Sequence, residues 1–130
     1  MPDWQTERIQ PYLQRCACGL VREDGTRSGL FVELSFAVPP KTNLIEFKFS
    51  VFRKRGASTE RVYQMHLNKV ARKPKSWHDF AHEHIGDERE YGTPDWLAWS
   101  FHDALDYFCQ RTNIQFLPPL EDPSEFRLKP

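Results

Sequence analysis

Residues 30–52 read LFVELSFAVPPKTNLIEFKFSVF, and this stretch decides the fold. Leu30, Val32, Leu34, Phe36 and Val38 alternate with Phe31, Glu33, Ser35 and Ala37. After Pro39-Pro40 and the turn residues Lys41-Thr42-Asn43 the alternation resumes. Ile45, Phe47, Phe49 and Val51 then fall on one parity, and Glu46, Lys48 and Ser50 on the other. A period of two is the signature of strands with one buried face, so these are two neighbouring antiparallel strands. Pro39-Pro40 stops the first, because proline donates no ladder hydrogen bond.

The pattern continues outward in both directions. Upstream, Glu23-Asp24-Gly25-Thr26 is a turn signal, preceded by a strand over about 16–22. Before that, Trp4, Ile9, Tyr12 and Leu13 suggest a short helix from Trp4 to Leu13, made irregular by Pro11. Downstream, 53–59 reads as a basic hairpin loop around Gly56. A fourth strand runs over about 61–67, with Tyr63, Met65 and Leu67 inward and Val62, Gln64 and His66 outward. Phe80 to Ile85 reads as a short returning strand, and 86–95 as an acidic, turn-rich segment. One strong helix begins at Ser100, with Asp103 three residues later in a capping-box arrangement. Phe101, Ala104, Leu105 and Phe108 recur on one face of it, and Asn113 is a left-handed cap. The expected fold is therefore α+β, a four- or five-stranded antiparallel sheet with one C-terminal helix on one face. Residues 1–117 form a single domain, followed by an extended Pro-rich tail over 118–130 whose Phe126 and Leu128 can dock on the body or on a partner.

Composition narrows the class. At 130 residues with ten Phe, four Trp and four Tyr, the chain can bury an aromatic core without cross-links. Three cysteines, with Cys16 and Cys18 one residue apart, make no disulfide framework, and a reducing cytoplasm fits. No apolar run has transmembrane length, and the first residues lack a signal-peptide pattern, so no membrane partner is expected. Net charge is zero but split. Residues 53–75 hold eight basic groups against Glu60 alone, and 79–106 hold eight acids against Arg89 alone. The basic set, with Arg53, Lys54, Arg55, Lys69, Arg72 and Lys73, suits a phosphate backbone. The acidic set, with Asp87, Glu88 and Glu90, suits a protein partner. The plain alternative is that the two segments neutralise each other across the fold.

All five histidines lie between 66 and 102, three of them in Trp77-His78-Asp79-Phe80-Ala81-His82-Glu83-His84. On a strand, His82 and His84 share a face and Glu83 points the other way. Three readings stay open. The imidazoles can be structural, bridging sheet and loop over Trp77 and Phe80. They can start a zinc site, with His82, His84 and a third ligand from His78, His66 or Asp79, although no diagnostic spacing is present. They can also cleave RNA without a metal. One imidazole would then take the ribose 2′-hydroxyl proton, the other would protonate the leaving oxygen, and Arg61 would face the phosphorane, with His66 nearby. No Walker loop, GxGxxG or GxSxG is present, which leaves phosphate-loop and serine-hydrolase readings without support.

From Arg61 to Ile114 the order is strand, basic loop, His82-x-His84-Ile85, acidic loop with Trp96, and a helix ending in Asn113-Ile114. This half resembles small bacterial domains encoded on mobile elements or beside toxin–antitoxin genes, including TumE-like toxins, in which an Arg-bearing strand leads to an HxH. Such toxins tend to carry an acidic residue on the strand and a further His pair in the loop. Here the strand is Arg61-Val62-Tyr63-Gln64-Met65-His66 and the loop has His78 alone. The resemblance implies a small cytoplasmic accessory protein that binds or cleaves RNA, with an antitoxin or host target as protein partner. The other expectation is a non-enzymatic binder or inhibitor of a host defence system, using its acidic surface. An enzyme needs His82 and His84 to converge in an open cleft, whereas a binder can have them packed.

Overall fold

The structure is a computed structural model, and it describes residues 4–6, 13–38, 45–69, 75–117 and 119–123. Among these residues seven strands form one sheet: β1 (Gln5–Thr6), β2 (Leu13–Val21), β3 (Arg27–Ala37), β4 (Glu46–Arg55), β5 (Ser58–Asn68), β6 (Ala81–Ile85) and β7 (Glu88–Tyr91). They lie in chain order, and every pair is antiparallel. The α+β class and the C-terminal helix α1 (Phe101–Thr112) are as the sequence predicts.

The strand count differs from the expected four or five, for two reasons. Gln5–Thr6 pairs with Gln14 and Arg15 as an edge strand, where a helix over Trp4 to Leu13 was expected, and Leu13 already belongs to β2. Pro11 lies between these pieces, in 7–12, outside the described residues. At the other edge, the acidic segment contains β7, whose four residues are all exposed and carry no apolar alternation. A strand with no buried face gives no period-two signal.

The expected basic loop over 53–59 is also mostly strand. Arg53–Arg55 continues β4, Ser58 opens β5, and the turn is Gly56-Ala57 alone. Gly56 takes a positive φ of 58°, which lets two residues reverse the chain. Pro39, Pro40, Arg72, Lys73, Phe126 and Leu128 lie outside the described residues.

One face of the sheet is the core. Val32, Leu34 and Phe36 pair across the ladder with Val51, Phe49 and Phe47, which in turn pair with Tyr63, Met65 and Leu67. Helix α1 lays Phe101, Ala104, Leu105 and Phe108 on this surface. Its N-terminus is held by the predicted capping box, with Asp103 N–H donating to Ser100 Oγ at 3.1 Å and Ser100 N–H to Asp103 Oδ2 at 3.0 Å. Asn113, at φ 59°, is the left-handed cap. Each fully buried Phe contributes about 1.5–3 kcal/mol by leaving water. Trp4 joins the same core, and its indole Nε1 donates to the Glu121 carbonyl at 2.9 Å. Leu120 and Pro123 are buried as well, so the start of the predicted tail packs on the body.

Trp96 is buried on the turn (Pro94–Ala98) before the helix. Gly92 lies directly against it, and a Cβ at Gly92 would run into the indole. Gly92→Ala is expected to cost about 1–3 kcal/mol by overpacking. Chemical denaturation measures this, and an unchanged midpoint would show that the indole moves aside freely.

Among the described residues the face opposite α1 carries no helix. From β2 to β7 one row of cross-strand partners runs Arg15, Ser35, Lys48, His66, His82, Tyr91. The next row runs Ala17, Glu33, Ser50, Gln64, His84, Arg89. The alternation that sends aromatic residues to the core thus gathers side chains of six strands on a single, largely polar surface.

Candidate functional site

Three imidazoles stand side by side on that open face. His66 of β5 is the cross-strand partner of His82 of β6, with ring centroids 5.1 Å apart, and His82 and His84 are also 5.1 Å apart. Both pairs meet edge to face. Strand parity puts His82 and His84 on one face with Glu83 on the other, as the sequence implies. The cross-strand register then brings His66 to them from β5.

The rim is charged. Arg61 Nη1 donates to Gln64 Oε1 at 3.3 Å, and Gln64 is the cross-strand partner of His84. Gln64 Nε2 donates in turn to Ser50 Oγ at 2.9 Å. On the β7 side the Arg89 guanidinium lies 5.8 Å from the Tyr91 ring centroid and 3.4 Å from Asp79 Oδ1. On the β4 side, His66 Nε2 is 3.3 Å from Glu46 Oε2. The adjacent His66 imidazole is the main reason the Glu46 carboxyl is pushed down to about 2, with Asn68 donating to the same oxygen.

His82 is 7% exposed, and its Nδ1 has no hydrogen-bond partner among the described residues. Burial first, then the neighbouring His66, Arg89 and His84, push its pKa down to about 4. Burial and the nearby Arg61 and Arg89 lower His84 as well. His82 is therefore neutral at pH 7. An unfolded histidine takes its proton near pH 6.5, whereas folded His82 resists until about 4. Stability from this residue is present above about pH 6.5 and is lost as pH falls towards 4. The shift corresponds to about 3 kcal/mol across that window. Denaturation curves at several pH values should show this slope in the wild type and a shallower one in His82→Gln. Equal slopes would mean that His82 protonates freely in the fold.

The remaining predicted site residues spread out. His78, in the 3₁₀ turn Trp77–Asp79, packs its ring 4.7 Å from Tyr91 rather than joining His82 and His84. Among the described residues no group of three or more His, Cys, Asp or Glu side chains is arranged to hold a metal ion. Arg55 and Lys69 lie at opposite ends of β5, about 33 Å apart. Lys54 reaches the open face, over the Phe31 ring. Arg55 pairs with Glu60 at 2.7 Å, and Arg53, the cross-strand partner of Glu60, shares that other parity. Lys69 acts on Asp103 at the start of α1, which packs on the core face of the sheet. His102 is exposed early in the helix. Asp87 and Glu88 are exposed at the β6–β7 turn, and Glu90 approaches Arg111 at 3.7 Å on the helix side.

A second polar cluster lies beneath the helix. Glu83 is buried, and Tyr63 Oη donates to its Oε2 at 2.6 Å. Tyr107 Oη donates to the same carboxylate at 3.2 Å, and Arg111 Nη2 stands 3.3 Å from Oε1. Burial, then the Glu83 carboxylate, push both phenols above their ordinary range. Strand parity places Glu83 inward, but nothing local announces partners twenty and more residues away. Its bonding capacity is filled, so this cluster anchors α1 to β6.

Comparison with protein-family models, curated proteins and solved structures finds no match to this chain. Among the described residues no helix is long and apolar enough to cross a membrane.

Proposed function

We infer that this chain is a small cytoplasmic accessory protein of toxin or mobile-element type that binds RNA on its helix-free sheet face. One observation carries the reading: His66, His82 and His84 form an unbroken row there, flanked by Lys48, Arg61 and Arg89. Imidazoles offer hydrogen bonds to phosphates and base edges, and the flanking cations supply the salt-dependent attraction to a polyanion. Binding is favoured over cleavage by the packing of His82. A residue 7% exposed, with a pKa near 4, is poorly placed to exchange protons with a phosphodiester at neutral pH.

Binding of labelled RNA across a salt series tests this. Arg61→Glu/Arg89→Glu is expected to weaken binding at least tenfold, at about 1–2 units less salt slope. Cleavage of total RNA is measured beside it, with His82→Ala/His84→Ala and with chelator. Turnover lost in that variant would replace binding with catalysis, and chelator sensitivity would bring back zinc. A folded wild type that neither binds nor cuts RNA would sink the reading. Capture of a basic protein through Asp87 and Glu88 would then take its place.

A further inference from the structure

We propose that the open face takes RNA as a single strand, stacking unpaired bases on two aromatic platforms at opposite corners of the histidine row. The proposal rests on the RNA-binding reading above and adds the form of the ligand.

The first platform is a cross-strand pair. Phe31 of β3 and Phe52 of β4 are stacked, with centroids 5.3 Å apart and planes at 26°. Both sit on the parity opposite the core and are only partly buried. Lys54 Nζ lies 5.9 Å from the Phe31 ring, and Arg61 is the cross-strand partner of Phe52. Phe52 reaches this face opposite a β-bulge at Val51/Phe52, which leaves Val62 as the extra residue of β5.

The second platform is Tyr91. It is 60% exposed, an unusual state for a large aromatic ring. The His78 ring supports it at 4.7 Å, and the Arg89 guanidinium lies 5.8 Å from it. Each platform thus combines an aromatic surface with a nearby cation, the pairing that takes a base and its phosphate together.

The spacing is consistent with one strand. Tyr91, His82, His66 and Lys48 are successive cross-strand partners, and Phe52 is four residues beyond Lys48 on β4. Three inter-strand steps and four residues along a strand give a diagonal of about 20 Å. That lies within the ~4–16 nucleotide footprint of known single-strand sites. The carboxylates bordering the path are held by cations or imidazole, Glu33 by Arg15 at 3.2 Å and Glu46 by His66. A duplex hides its base faces, so it cannot use the platforms.

The test measures binding of a fluorescent single-stranded RNA of about twelve nucleotides and of the same sequence annealed to its complement. Wild type, Phe52→Leu and Tyr91→Ser are compared over a salt series. The single strand should bind more tightly than the duplex. Each variant should lose roughly fivefold to a hundredfold in affinity with the salt slope unchanged, because stacking releases no counterions. Tyr91 is exposed, so its variant reads the platform even if Phe52→Leu fails to fold. Equal binding of both RNA forms, with Tyr91→Ser unaffected, would overturn the platforms and leave RNA binding standing. Failure of the wild type to bind either form would remove both.

Discussion

Phe49→Ala should destabilise the fold by about 3–5 kcal/mol, the range for emptying a buried phenylalanine site. Phe49 is fully buried at the meeting point of sheet and helix. Its ring stands 5.8 Å from Phe47, 5.9 Å from Phe101 and 5.7 Å from Phe108. The loss combines the transfer energy of the ring with a cavity that α1 cannot fill, because Phe101 and Phe108 are held by the same helix. Domains of this size have about 5–15 kcal/mol in total, so the melting temperature should fall by roughly 10–20 °C. Phe49→Leu, which keeps most of the volume, should cost clearly less. A loss below about 1 kcal/mol for the alanine variant would mean that the helix does not pack where described.

The second large effect lies at Glu83. Glu83→Ala removes the acceptor for Tyr63, Tyr107 and Arg111 together, and about 3–5 kcal/mol is expected when one partner of a buried charged cluster is deleted. Glu83→Gln keeps a carbonyl for the phenols and should cost less. Tyr63→Phe removes one buried hydrogen bond, about 1–2 kcal/mol. Arg111 is 42% exposed, so solvent screens its ion pair and Arg111→Ala should cost the least of these changes. Urea denaturation of the four variants gives the order. If Arg111→Ala proved the costliest, the ion pair rather than the phenols would hold the carboxylate.

Much of this architecture is written in local periodicity. The alternation through Leu30–Val38 and Ile45–Val51 places each core residue on the correct face, and parity also sends His66, His82 and His84 outward. The capping box at Ser100 and the Asn113 cap fix the helix to within a residue. Edge strands escape this reading because the signal is burial itself. Gln5–Thr6 and Glu88–Tyr91 are exposed, and pairing, not packing, makes them strands. A trace of β7 is present in Gly86-Asp87, where a two-residue turn with Gly86 at φ 61° follows Ile85. The separation of Arg53–Arg55 from Lys69 to the two ends of β5 depends on a hairpin turn two residues long rather than seven. The Tyr91 and Phe31–Phe52 platforms need the register of five strands, which no single stretch contains.

The strict chain order of the strands bears on how the molecule is made. Every pairing joins neighbours in sequence, so contact order is low for a protein this rich in β-structure, and hairpins can zip one after another during synthesis. The cover for the inner face, however, is translated after all seven strands. Until residues 101–112 leave the ribosome, Val32, Leu34, Phe36, Phe47 and Phe49 lie on an unshielded apolar surface. A nascent chain stalled before Phe101 is therefore the species most prone to aggregate or to recruit a chaperone.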